Sequence, residues 1–181
     1  MKNAGTLTVT TPSAREIALT RVFDAPRRLV FEAFTRPELL KRWFGPRGFT
    51  LIDCEIDYRV GGGFRFVLRN PGGSEVCIRG VYKELDPPKR SVHLESFRPH
   101  AGYGQDDVLP GAESQVTTLL VEYEGKTALT ATVLYPSQEA RDAVIQSGME
   151  HGAAESYDRL AEVLTVLDAP STPTEFEHDN S

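Results

Sequence analysis

Four histidines stand in the sequence, His93, His100, His151 and His178. Imidazole changes charge near neutral pH, so these residues are where acid–base chemistry would be built. His93 lies in a stretch of strand character with Glu95 close by to orient its ring, and His151 stands beside Gly152 in the last periodic segment. If their side chains converge inward, His93, Glu95 and His151 are the candidate acid and base groups. The plainer alternative is a set of solvated or singly hydrogen-bonded histidines. His100 falls in a glycine- and proline-rich loop and His178 in a tail, so neither is well placed. No Ser/His/Asp spacing or nucleophile elbow is present. Cys54 and Cys77 are isolated, without C-x-x-C or H-E-x-x-H, so neither a metal nor another cofactor is expected. Gly61-Gly62-Gly63 lacks the Lys-Ser/Thr of a phosphate loop and reads as a turn.

A second group of residues could recognise rather than react. Trp43 and Phe44 precede Gly45-Pro46 and either frame a cavity mouth or pin a helix to the core. Phe64, Phe66, Tyr82 and Met149 are candidates for a ligand wall, because pockets are mostly apolar, and equally for ordinary core. Arg27, Arg28, Arg36, Lys41, Arg42 and Arg47 outnumber Asp24, Glu32 and Glu38. That local positive excess fits either a solvated helix face or a site for an anionic head or an acidic protein partner.

Composition limits what these residues can serve. The chain has 181 residues, 20 Lys+Arg against 26 Asp+Glu and a net charge of −6, with 40% hydrophobic and 25% charged residues. This is the composition of one soluble domain with a single core. The acidity argues against a general nucleic-acid binder, and the apolar runs are too short to cross a bilayer. Two cysteines and no secretory pattern in the first residues point to a cytoplasmic setting. Residues 1–14 and 169–181 are polar and read as mobile tails around a domain at 15–168.

The elements that must position the candidates follow from periodicity. Glu16 to Phe23 alternates, with Ile17, Leu19 and Arg21 on one side, and reads as a strand. Pro26 suits the first turn of a helix with Asp24 near its start, and Thr35 with Glu38 has capping-box spacing for a second. Gly45-Pro46 should stop that second helix. Period-two alternation then runs through Ile52-Cys54-Ile56-Tyr58, Phe64-Phe66-Leu68, Val76-Ile78-Gly80-Tyr82 and Ser91 to Phe97. A loop from Phe97 to Ser114 leads to two strands, Val116 to Tyr123 and Thr127 to Tyr135, joined by the hairpin signal Glu124-Gly125-Lys126. The chain ends in a helix capped by Ser137 and interrupted at Gly148. Beyond the break, Met149, Ala153, Ser156, Leu160, Val163 and Leu167 form one apolar stripe. The sheet must cover its apolar face, and the terminal helix is the large element available. Small residues Gly148, Gly152 and Ala153 on that helix leave a gap, roofed by the two short helices.

Several segments in order resemble the START-like, SRPBCC superfamily. They are Thr20 to Pro26, Phe31 to Phe34, Trp43 to Pro46, Gly61 to Phe66, Arg79 to Tyr82, Pro136-Ser137 and Gly148 to Gly152. More closely, they are similar to single-domain homologues of the activator of the 90-kDa heat-shock protein's ATPase. The resemblance implies an α+β helix-grip fold, shared with the birch-pollen allergen. In it a curved antiparallel sheet carries two short helices after the first strand and a long C-terminal helix. It also implies a cavity for a small hydrophobic molecule, with polyketide-cyclase-like or hydrolytic enzymes and chaperone-interaction modules as alternatives on the same scaffold. Trp43, Phe44, Phe64, Phe66, Tyr82, Met149 and His151 would then bind ligand, and Arg27, Arg28, Lys41 and Arg42 would face a protein partner. The chain departs from the family pattern at Ala153, where an aromatic is usual, at Ile78, where asparagine is frequent, and at Phe44, where a second tryptophan is common. The first two changes make the cavity more open and more apolar.

Overall fold

The computed structural model describes residues 7–99 and 113–170; His100, His178, residues 1–6 and 171–181 of the expected tails and 100–112 of the expected loop lie outside them. Strands β1 (Thr8–Thr10), β2 (Glu16–Phe23), β3 (Thr50–Ile56), β4 (Gly63–Arg69), β5 (Glu75–Asp86), β6 (Arg90–Pro99), β7 (Glu113–Tyr123) and β8 (Lys126–Leu134) form one sheet. Its order is β1-β2-β8-β7-β6-β5-β4-β3, and every pair is antiparallel. Helices α1 (Arg27–Thr35) and α2 (Pro37–Trp43) cross between β2 and β3, while α3 (Gln138–Gln146) and α4 (Met149–Leu167) follow β8. No helix among the described residues is long and apolar enough to cross a membrane.

Alternation decides which face is buried. Phe64, Phe66 and Leu68 of β4, Ile78 and Tyr82 of β5, and Leu129, Ala131 and Val133 of β8 all enter one core cluster with Tyr157, Leu160, Val163 and Leu164 of α4. The cross-strand register aligns Tyr82 with His93, His93 with Val116, Val116 with Val133 and Val133 with Ile17 in one row. The β7–β8 hairpin closes through Glu124 and Gly125, both at positive φ (49° and 74°), as a two-residue type I′ loop requires. Gly148, at φ 77°, breaks the terminal helix into α3 and α4.

Polar contacts fix α4 across the sheet and short helices. Arg21, facing inward from β2 with Ile17 and Leu19, donates from Nη1 to Asp158 Oδ1 at 2.6 Å. Arg159 Nη1 donates to the carbonyls of Gly45 (2.8 Å) and Pro46 (3.1 Å), satisfying acceptors past the end of α2. The Gly45 N–H donates to Ser156 Oγ at 3.0 Å, and that of Arg47 to Glu155 Oε2 at 3.0 Å. The loop after α2 is thereby latched to α4.

The structure differs from the sequence expectations at several places. Residues 8–10, inside the segment expected as a tail, form β1, because the free edge of β2 offers backbone partners from Ala18 to Thr20. The short helices therefore follow the second strand. Thr35 ends α1, its hydroxyl donating to the Phe31 carbonyl at 2.9 Å, so it does not cap α2; Arg36 occupies that cap and Pro37 opens the helix. The acid at the start of α1 is Glu122 of β7, which accepts from the Arg27 N–H at 2.6 Å, in place of Asp24. A bulge between Leu51 and Asp53 resets the parity of β3, so Leu51 enters the core where Ile52 was expected. Finally, Phe97–Pro99 pair with β5 and Ser114 with β6, so both strands extend into the expected loop.

Candidate functional site

Between the concave face of the sheet and α4 lies a cavity of about 740 Å³, within the roughly 300–1,000 Å³ typical of small-molecule sites. The roof is made by Phe31 and Phe34 of α1, Phe44-Gly45-Pro46 beyond α2, and Met149, Gly152, Ala153 and Ser156 of α4. This is the end of α4 where the small residues lie. A Cβ added at Gly152 would stand 3.2 Å from Pro46 Cγ, so glycine permits the loop to approach the helix closely. The floor carries Phe64, Phe66, Ile78 and Tyr82 and continues onto Val116, Ala131 and Val133.

The aromatic side chains form one connected wall. Phe44 meets Phe66 edge-on at 5.2 Å, Phe66 lies 5.0 Å from Phe64, and Phe64 stands 5.4 Å from Tyr82. Phe64 depends on a missing side chain: it pairs across the sheet with Gly80, where an added Cβ would come within 2.2 Å of Phe64 Cζ and 2.4 Å of the Leu94 carbonyl. The ring therefore lies over the glycine backbone, and the next residue in the same row is Glu95.

On that floor His93 and Glu95 converge. His93 Nε2 lies 3.1 Å from Glu95 Oε2, with side chains 16% and 18% exposed, and both line the cavity. The Phe64 ring meets the imidazole edge-on at 5.0 Å. A carboxylate can only accept, so in this geometry Nε2 carries the shared hydrogen and the Glu95 carboxylate orients the ring. Burial is the main force on the surrounding phenols. It pushes Tyr135 up to about 12, with the charge of Glu95 adding to the effect, and it raises Tyr157 and Tyr82 further. Cys54 is likewise pushed up to about 11 by burial, which removes thiolate character and with it nucleophilic reactivity.

The sequence candidates separate accordingly. Phe44, Phe64, Phe66, Tyr82, Met149, His93 and Glu95 are brought together at the cavity. Trp43 is 1% exposed and stands one layer behind the wall, its Nε1–H donating to the Ala33 carbonyl at 2.9 Å and its ring 4.8 Å from Phe34 and 5.6 Å from Phe44. It pins the end of α2, the packing alternative of its two readings. His151 is exposed on α4 and is not part of the wall, because the helix turns Met149, Gly152, Ala153 and Ser156 inward instead. Tyr58, Tyr135, Tyr157 and Ser114 line the cavity and were missed. Continuing the Leu129-Ala131-Val133 alternation by one step reaches Tyr135, and stepping three back from Leu160 reaches Tyr157. Among the described residues no cluster of His, Cys, Asp and Glu is placed to hold a metal ion. On the short helices, Arg28 bonds Glu32 at 2.7 Å and Arg36 bonds Glu38 at 2.5 Å, whereas Arg27, Lys41 and Arg42 make no salt bridge among the described residues.

Comparison with known proteins agrees with this geometry. Residues 24–165 match the family described as activator of Hsp90 ATPase homolog 1-like protein, AHSA1. The chain belongs to that family. Its α+β architecture, an antiparallel curved sheet with short helices and a long C-terminal helix, is the family's helix-grip fold. Among solved structures, a protein from Rhodobacter sphaeroides is 31% identical, with 90% of this chain and 99% of that one covered and a TM-score of 0.79. One from Nitrosomonas europaea is 25% identical over 88% and 100% of the two chains, with a TM-score of 0.74. An AHSA1 protein from Silicibacter pomeroyi shares the fold at 22% identity, covering 84% and 99%, with a TM-score of 0.64. No curated protein matches the sequence.

Proposed function

We propose that this AHSA1-family domain binds a small, mostly hydrophobic molecule in the cavity beneath α4. The observation that supports this reading most is the combination of volume and lining: about 740 Å³ walled by aromatic and aliphatic side chains, with polar groups gathered at few points. Space of that size would be filled by side chains if it served packing alone. Trp43 provides the readout, because its ring touches Phe34 and Phe44, which both form the wall. Uncharged apolar probes titrated into the protein should change Trp43 emission saturably and raise the melting temperature with concentration. An Ala153→Phe variant, which projects a ring into the cavity, should retain the fold and lose both responses. Equal binding by wild type and Ala153→Phe would refute the location.

The 3.1 Å pair of His93 and Glu95 favours a second use of the same cavity. Glu95 orients the imidazole, and a neutral ring holding its hydrogen toward Glu95 leaves the other nitrogen as a base, the arrangement a cyclase- or hydrolase-type reaction needs. Turnover of a bound substrate that disappears in His93→Gln while binding persists would establish it. Docking of an acidic protein partner on Arg27, Lys41 and Arg42, in keeping with the family's description, is supported by their lack of salt bridges among the described residues. Reversing Arg27 and Arg42 to Glu should weaken such a complex.

A further inference from the structure

We propose that Glu95 makes the cavity selective for uncharged ligands bearing one hydroxyl group and excludes carboxylates of the same size. The inference rests on the cavity being a ligand site and names the class of ligand it takes.

Glu95 lines the cavity and engages His93 through Oε2, while Oε1 makes no hydrogen bond among the described residues, so the carboxylate has acceptor capacity left for a ligand. An unmet carboxylate oxygen in a mostly apolar space is best satisfied by a hydroxyl donor from the ligand. The charged side chains on the described wall are Lys89, Arg90 and Glu95. Arg90 opens β6 and Lys89 precedes it; at about 3.3 Å per residue, Arg90 is roughly 16 Å from Glu95 along the strand. Arg90 is also already bonded to Glu84 at 2.5 Å. Arg21, which acts against Glu95 at Tyr157, is bonded to Asp158 at 2.6 Å, so among the described residues only a protonated His93 is placed to offset Glu95 where a ligand head would meet it.

Two residues already feel that charge. Tyr135, past the end of β8, and Tyr157, on α4, are held in the neutral form chiefly by burial and additionally by Glu95, with Arg21 acting against it at Tyr157, so the charge of Glu95 is felt on both the floor and the helix side of the cavity. A ligand carboxylate would be opposed as their phenolates are. Two negative charges about 5 Å apart, at an effective dielectric of about 20, correspond to an affinity loss on the order of a hundredfold. Phe64, lying over Gly80 and edge-on to His93, supplies an aromatic surface beside the carboxylate, so a phenol is the form of hydroxyl that the surroundings fit best.

The test uses three probes with the same hexylphenyl body, para-hexylphenol, its methyl ether and para-hexylbenzoate, measured by calorimetry at mildly alkaline pH, where the phenol is neutral and the benzoate ionised. The phenol should bind at least about tenfold more tightly than the benzoate, with the ether between them. Glu95→Gln should narrow the phenol–benzoate gap, chiefly by improving the benzoate. Equal binding of phenol and benzoate by the wild-type protein would overturn the selectivity while leaving the cavity as a ligand site, and this comparison requires no variant. An unchanged gap in Glu95→Gln would remove Glu95 as its cause. Failure of all three probes would overturn the cavity reading and this inference together.

Discussion

Removing Asp158 should cost far more than removing its partner, Arg21, although the two share one ion pair. Arg21 has a side chain only 4% exposed and lies over the Phe23 ring, with its Nε buried and without a hydrogen-bond partner, while Asp158 is 52% exposed. In Asp158→Ala the guanidinium keeps its charge and its burial but loses its counter-charge. A pair about 4 Å apart at an effective dielectric near 20 interacts by about 4 kcal/mol, and the solvent around Asp158 reduces this by roughly half. The expected loss is therefore about 2 kcal/mol, or roughly 4–8 °C in melting temperature for a domain of this size. Arg21→Met instead removes the buried charge, keeps apolar volume against Phe23, and leaves Asp158 in water, so it should cost less than about 1 kcal/mol. The double variant should resemble Arg21→Met. Urea denaturation of the four proteins measures this directly. A larger loss in Arg21→Met than in Asp158→Ala would refute the argument that desolvation of the arginine dominates.

Other perturbations test other links. Gly80→Ala places a Cβ within 2.2 Å of Phe64 and 2.4 Å of the Leu94 carbonyl, so it should cost more than about 2 kcal/mol by thermal unfolding and disturb probe binding. Arg159→Ala frees the carbonyls of Gly45 and Pro46 and should cost about 1–2 kcal/mol, with faster amide exchange confined mainly to residues 44–49. Tyr58, Tyr82, Tyr135 and Tyr157 all have raised folded-state pKa values, chiefly through burial. The folded protein holds these protons after the unfolded chain, whose phenols titrate near 10, has released them. Stability should thus be intact below pH ~10 and fall as pH rises toward 12. Tyrosinate absorbance should appear together with unfolding; full ionisation of these tyrosines in a still-folded protein would contradict the burial argument.

Local pattern was most legible where one physical rule acted alone. The alternation of Phe64-Phe66-Leu68 and Leu129-Ala131-Val133 reported the buried face, because a sheet covered on one side has no other arrangement for them. Gly148 announced the break between α3 and α4, and Gly45, at φ 99°, the end of α2. Long-range partners were less legible. Glu122 reaches α1 from β7, 95 residues away, and no spacing rule within a helix reports it. The bulge in β3 is an event of pairing with β4, so counting along Ile52-Cys54-Ile56 could not locate it. The site was legible in half. His93 and Glu95 share a strand, and period two carries both to one face. His151 depended on the rotation of α4, which is set by how Tyr157, Leu160 and Leu164 pack against the sheet. Trp43 was ambiguous because wall and core draw on the same residue types.

The most direct test of the ligand-binding claim is a methyl-resolved NMR titration with para-hexylphenol. Saturable shifts should appear at Ile78, Val116, Leu120, Ala131 and Val133, which line the cavity, and be absent at the exposed Val81 and Val121. Shifts confined to the exposed methyls, or no saturable shift at any of these residues, would contradict it.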